Sequence, residues 1–260
     1  MNMPGLNIRG AVAIFNNELI RFFRTVFGSI LSPVLTTSLY LVVFGAAIGS
    51  RMDPAQFGGA SYGAFIVPGL IMLTLLSEST SNASFGIYMP RFTGAIYELL
   101  SAPVGTAETL IGFVGAAAAK SIIIAAIILA TATLFVDFSI AHPILAAGYI
   151  VLVASAFALF GFILGLWADG FEKLQIVPML ILTPLTFLGG TFFSIEMLAE
   201  PWRTIAQFNP IFYLINGLRW TFTGTSDVPI GLAFGMTLGF VALCIAVIAF
   251  IFRTGWRLRG

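Results

Sequence analysis

Glu78 and Lys120 are ionisable side chains set inside long apolar runs of a 260-residue chain in which only 9% of residues are charged. A carboxylate in such surroundings is costly and faces a partner or a cavity. Thr74, Glu78 and Ser81 follow one another at spacings of four and three, which puts them on one helix face, and Phe85 continues that face. Ser77 and Asn82 add polar groups beside it. A later run offers Thr183, Thr186 and Phe187. These are candidate pathway-lining residues, although helix packing is the ordinary use of Ser and Thr in apolar helices. Glu78 admits two readings. It forms an intramembrane pair with Lys120, or it faces a substrate.

Bond-breaking chemistry has no obvious carriers. The one histidine, His142, precedes Pro143 in a short loop, and the one cysteine, Cys244, lies in an apolar run and can form no intramolecular disulfide. A zinc site needs three or four ligands, so no metal site is expected. The stretch GAAAAKS, Gly115 to Ser121, superficially resembles a phosphate loop. It lacks the glycine before Lys120 and lies within an apolar run rather than after a strand. No catalytic residue is assigned, and no cofactor is expected in this chain.

Composition says which elements must position the polar groups. The chain is 59% hydrophobic, with a mean hydropathy of +1.03. Soluble domains carry about a quarter charged residues, so this is an integral membrane protein. A net charge of +1 leaves no basic footprint for nucleic acid. No secretory signal is evident at the N-terminus, so insertion is expected to be directed by the spans. Six runs suit membrane-spanning helices, at roughly 26–49, 61–84, 106–136, 144–167, 174–193 and 228–252. Ten-residue alternation, the mark of a membrane barrel, is missing. An even number of spans puts both termini on one side. Arg9, Arg21, Arg24, Arg91, Lys173, Arg253, Arg257 and Arg259 fall in one set of connecting segments, and Arg51, Arg203 and Arg219 in the other. That bias favours cytoplasmic termini. Trp167 and Trp256 at span ends, with Trp202 and Trp220 in the long external segment, agree.

The connecting pieces carry their own patterns. Ile8, Val12, Phe15, Leu19, Phe22 and Val26 recur at helical spacing, with Asn17, Arg21 and Arg24 elsewhere on the helix, which predicts an amphipathic interfacial helix over 7–25. Between spans two and three, IYMPRFTGAIYELLSAPVG (Ile87 to Gly105) is bracketed by Pro90 and Pro103. Its stretch from Ala95 to Ser101 suits two helical turns, with Ile96, Leu99 and Leu100 as a small apolar patch. A plain connection needs only a few residues, so this one offers a surface to a partner. After span five, Pro178 and Pro184 interrupt the helix and Gly189–Gly190 loosens its outer end. The external piece, 191–227, is too apolar for a solvated loop and too broken for a span. Short helices dipping into the outer leaflet fit it, since broken backbone is tolerated where protein or a cavity covers it.

With FIVPGLIML (Phe65 to Leu73), YELLSAPV (Tyr97 to Val104), LTPLTFLGGTFFS (Leu182 to Ser194) and FNPIFYLINGLRW (Phe208 to Trp220) in that order, the whole chain resembles the membrane subunit of an ATP-binding-cassette type-2 exporter, from the bacterial group handling drugs, polysaccharides and lipid-linked sugars. The resemblance implies an all-α, six-span permease in the bacterial inner membrane, paired with a second copy of itself amid membrane lipids. It implies two copies of a separate ATPase, which bind the ATP and Mg. It makes residues 87–104 the coupling segment, with Tyr97, Glu98, Leu99, Leu100, Ser101 and Ala102 on the ATPase. Substrates in the family pass between the two subunits, lined mainly by spans one, two and five. A secondary transporter would usually show inverted repeats, and none is evident between 26–136 and 144–252. An intramembrane enzyme would need catalytic groups, and a purely structural membrane protein would not need a coupling-like segment.

Overall fold

The computed structural model describes residues 7–53, 57 and 59–254, with the side chains of Ala46, Ser50, Leu99 and Leu100 outside that description. Trp256, Arg257 and Arg259 lie outside the described residues. The described elements are helical: α1 (Ile8–Arg24), α2 (Val26–Tyr40), α3 (Tyr62–Thr93), α4 (Ile96–Ser101), α5 (Thr106–Ala132), α6 (Pro143–Trp167), α7 (Phe171–Ile176), α8 (Thr183–Leu188), α9 (Trp202–Gln207), α10 (Pro210–Thr223) and α11 (Ile230–Thr254). Six helical stretches among them are long and apolar enough to cross a membrane, in the order the sequence predicts: Val26–Gly45, Tyr62–Thr93, Thr106–Ala132, Pro143–Trp167, Phe171–Leu188 and Ile230–Thr254.

The differences from expectation sit at boundaries. The second span does not end near residue 84. It runs through Pro90 to Thr93 and stops where Gly94 takes a left-handed conformation, φ 80°. Such a C-cap suits glycine, which has no Cβ to clash. Pro90 therefore lies inside the helix and does not open the loop. In span five, the prolines widen the helix without ending it. A π-helical stretch, Val177–Leu182, joins α7 to α8. There the Thr183 hydroxyl donates to the Pro178 carbonyl, five residues back, at 3.0 Å.

α3 is the centre of the bundle. Ile66, Leu70, Ile71, Met72, Leu75 and Leu76 are fully enclosed, and α5 and α6 pack along its length. The approach of α6 is close because it carries Gly161 and Gly165 four residues apart. A Cβ at Gly161 would collide with the Thr80 carbonyl oxygen, and one at Gly165 with that of Ser84. Small residues at this spacing let helix backbones meet. Arg91 then closes the joint: its Nη1 donates to the carbonyls of Gly165 (2.9 Å) and Leu166 (2.7 Å), capping the last turn of α6.

α1 lies along the first half of α5 in parallel register. Asn7 N–H donates to Glu108 Oε1 at 2.8 Å, Ile14 fills the space over Gly112, and Glu18 meets Lys120. Its protein-facing residues are Ala11, Ile14, Glu18 and Phe22. The apolar stripe expected to anchor it is turned mostly outward, with Ile8 and Val12 exposed and Phe15 and Leu19 half-buried. The stripe and the buried face lie roughly a fifth of a turn apart on a 3.6-residue helix. Only Phe22 serves both.

At the opposite end of the bundle, the loop before α6 docks on α10 through Ala141 N–H to the Phe222 carbonyl and His142 N–H to the Thr221 carbonyl, both at 2.9 Å. The exposed His142 also sets its ring 4.6 Å from that of Trp220. α10 is wedged against α3, α6 and α11.

Candidate functional site

One face of α3 stays open. Thr74, Ser77, Glu78, Ser81, Asn82 and Phe85 are all half-buried, whereas Leu75, Leu76, Ser79, Thr80, Ala83 and Ser84 are buried. The polar residues named from the sequence thus share a stripe that the chain's own helices leave uncovered. Asn82 Nδ2 donates to Glu78 Oε2 at 3.1 Å and to the Glu78 carbonyl at 2.9 Å.

The expected pair of Glu78 with Lys120 does not form. The Lys120 ammonium instead meets Glu18 Oε2 at 3.1 Å, and the same oxygen accepts from Arg21 Nη2 at 2.6 Å. Helix geometry gives the reason. Gly86 of α3 stands against Phe113 of the antiparallel α5, which puts Lys120 level with Ser79. Ser79 faces the buried interior, and Glu78 is about 100° further round. The two groups share neither a face nor a height, since the long Lys120 side chain carries its ammonium toward Gly86, eight residues beyond Glu78. Glu18, on the buried side of α1 and against Gly86, reaches Lys120 from the groove between α3 and α5. Glu18 could have been suspected as an acidic residue among apolar neighbours in the N-terminal pattern, but only the packing of α1 brings it to Lys120.

Span five runs antiparallel to α3 in a fixed register. Phe171 packs on Tyr88, with ring centroids 5.1 Å apart, and Thr191 packs on Gly69. By that register Ile181 and Leu182 stand level with Glu78, with Thr183 next to them. Thr183 and Phe187 are half-buried, but Thr186 is not. It is 1% exposed, and its hydroxyl donates to the Leu182 carbonyl at 2.6 Å. Its role is to satisfy its own helix, and it leaves the set of lining candidates. Toward the His142 end, Phe187 belongs to an aromatic cluster with Tyr40, Phe44 and Phe192. Phe192 lies 4.6, 5.1 and 5.5 Å from Phe44, Phe187 and Tyr40. This cluster bridges spans one and five.

A buried cation near the same end is held differently. Arg219 is 2% exposed, donates to the Gly190 carbonyl and places its guanidinium 3.9 Å from the Phe65 ring centre. Burial lowers its pKa to about 10, with the Asp227 carboxylate opposing that shift, so it stays charged at neutral pH. Asp227 in turn accepts from Ser194 Oγ (3.0 Å) and from the Ile195 amide (3.2 Å), tying the segment before α9 to the one before α11.

The second candidate surface is α4. Gly94 ends α3, and eight residues later Ala102 returns to extended backbone. Tyr97 (70% exposed), Glu98 and Ser101 face outward, Ala102 is half-buried, and Ile96 turns back onto the core. The backbone of Leu99 and Leu100 continues the helix, but their side chains lie outside the described residues. The Asn7 side chain holds the base of this segment by donating to the Pro103 carbonyl at 2.9 Å. α1, α4 and the first turn of α5 thus form one end of the bundle.

These features define a polytopic helical membrane protein with a polar stripe on its central helix and an exposed helical turn at one end. Residues 10–223 match the family model for the ABC-2 type transporter. The chain is 35% identical over 248 residues to the inner membrane transport permease YadH of Escherichia coli strain K12, covering 95% of this chain and 96% of that one. It is 25% identical over 249 residues to Nodulation protein J of Rhizobium meliloti strain 1021, covering 94% and 90%. For Nodulation protein J of Rhizobium leguminosarum bv. trifolii the identity is 24% over 263 residues, covering 99% and 95%. The chain belongs to the ABC-2 type transporter family and is a multi-pass membrane permease.

Proposed function

We propose that this permease works as the membrane half of an ATP-driven exporter in the bacterial inner membrane. Two copies enclose the substrate path, and two copies of a separate ATPase subunit bind ATP and Mg and supply the energy. Both termini and α4 lie on the cytoplasmic side, and α9 and α10 on the outer side. The observation that carries the reading is α4. A six-residue helix between the two longest helices exposes Tyr97, Glu98 and Ser101 at the end that also holds Arg91 and α1. Such a turn passes the motion of a docked ATPase directly into α3 and α5.

The second copy is supported by the apolar surface the single chain leaves open. On α2, Phe27, Leu31, Leu35 and Leu39 are all more than half exposed at four-residue spacing. On span five Met179 and Leu180 are exposed as well. α2 packs on α5 and span five on α3, the two neighbours bordering the central helix, so a symmetric partner laid across these faces would enclose the α3 stripe. The substrate is an amphipathic, lipid-like, glycan or drug molecule. The alpha1 stripe of Ile8 and Val12 rests in the inner interface.

Membrane vesicles test this. With the ATPase co-expressed, ATP hydrolysis should appear and should depend on this chain. Turnover by the purified chain alone would sink the reading.

A further inference from the structure

Glu78 lies near the midpoint of α3, 16 residues after Tyr62 and 15 before Thr93. Asn82 donates to its carboxylate, but an amide leaves the negative charge in place. No Lys or Arg among the described residues forms an ion pair with it. The cations on the helices packed around α3 are already engaged. Lys120 on α5 is taken by Glu18. Lys173 on α7 is taken by Asp169 at 2.8 Å and stands level with Ile87, about 13 Å along the helix. Arg91 caps α6, and Arg219 on α10 is level with Phe65, each about 20 Å away. α6 carries no charged residue between Pro143 and Trp167. Among the described residues, no cation supplies a counter-charge to Glu78.

We propose that Glu78, supported by Asn82, recognises a positively charged group on the transported molecule, so that the substrate class is amphipathic organic cations. This rests on reading the open face of α3 as the substrate path. The rest of that face suits such a molecule. Ser77 and Ser81 flank the carboxylate with hydroxyls, while Leu73 and Phe85 lie half-open within two turns and can cover an apolar body. An aromatic ring also attracts a cation across its face. A phosphate or carboxylate placed at the same height would meet a like charge at low dielectric, so the site discriminates against anionic amphiphiles.

Tetraphenylphosphonium and tetraphenylborate test this, being nearly the same size and shape with opposite charge. Binding of each is measured by equilibrium dialysis to the full-length chain in phosphatidylcholine nanodiscs, with empty nanodiscs subtracted. The cation should bind saturably and at least tenfold more tightly than the anion. Glu78→Gln should weaken the cation at least tenfold and abolish the discrimination, Glu78→Asp should retain the discrimination, and Glu200→Gln, far from the stripe, should change nothing. In the wild-type chain, the phosphonium but not the borate should protect Glu78 from a hydrophobic carbodiimide, read by mass spectrometry. This arm holds even if Glu78→Gln fails to fold. Equal binding of the two ions, no saturable cation binding, unchanged cation binding in folded Glu78→Gln, or no protection each overturns the proposal. The assay needs no ATPase, so a missing ATPase partner would defeat the exporter reading and leave this result standing.

Discussion

The Lys120 ammonium lies 3.1 Å from Glu18 Oε2, and both side chains are almost wholly buried, at 3% and 6% exposure. The pair joins the helix that precedes the first span to the third span, across 102 positions of sequence. Arg21 adds a second, half-exposed cation to the same oxygen. An unpaired charge in hydrocarbon costs about 2.5–3.5 kcal/mol on insertion scales. Removing Glu18 therefore strands Lys120, whereas removing Lys120 leaves Glu18 with Arg21 alone. Glu18→Gln and Lys120→Met should each lower the melting temperature in detergent, and the double variant should recover part of the loss. The coupling should be about 1–3 kcal/mol in a double-mutant cycle. Additive losses would show that the pair contributes nothing beyond packing.

Gly161 and Gly165 set the approach of α6 to α3. Gly161→Leu or Gly165→Val should disrupt this joint, costing about 1–3 kcal/mol or more as an overpacked core does. Thermal unfolding followed by fluorescence checks this. Gly148, which a Cβ would leave free of contacts, should tolerate alanine with little change.

Arg91 caps α6 beside the base of the exposed turn. Arg91→Ala leaves two carbonyls short of a charged donor, a loss of about 1.5–3 kcal/mol. Hydrogen exchange should rise at Gly165 and Leu166 and spread toward Gly94. Arg91→Lys should keep part of the protection, since both carbonyls are met by the single nitrogen Nη1 and one ammonium can take its place. Protection unchanged in Arg91→Ala would remove the cap from the account.

Much of this molecule is legible in its sequence because a membrane leaves few choices. Six apolar runs became six helical stretches in the same order. The stripe of Thr74, Glu78 and Ser81 emerged from helical spacing alone and is the face that the fold leaves open. What spacing cannot give is the neighbour. Glu78 and Lys120 were paired only as two charges in apolar runs, yet α1 packs along α5 and its Glu18, beside Gly86, takes the lysine. Thr186 has the spacing of a lining residue, but its hydroxyl bonds to its own helix and it faces inward. The Pro90 boundary fails for a related reason: packing along α3 carries the helix past a proline, and the left-handed Gly94 ends it. The Gly161–Gly165 pair was present in plain view, but glycines four residues apart acquire meaning only once a facing backbone is known.

The exposed turn should matter for coupling and not for folding. Glu98→Arg and Tyr97→Ala should leave the melting temperature within about 0.5 kcal/mol of wild type, as exposed substitutions usually do. Both should lower substrate-stimulated ATP hydrolysis of the assembled transporter several-fold. A large stability loss would assign these residues to packing.

Cysteine crosslinking in native membranes tests the central claim most directly, that α4 meets a separate ATPase on the cytoplasmic side. Cys244 is the chain's single cysteine, so a Cys244→Ser background carrying Ser101→Cys gives one defined probe, and Leu134→Cys at the opposite end serves as its control. The account predicts a covalent adduct between the Ser101 position and the co-expressed ATPase, none from the Leu134 position, and labelling of the latter alone by an impermeant thiol reagent added outside the cell. Labelling of the Ser101 position from outside, or an ATPase adduct formed only at the Leu134 position, would contradict it.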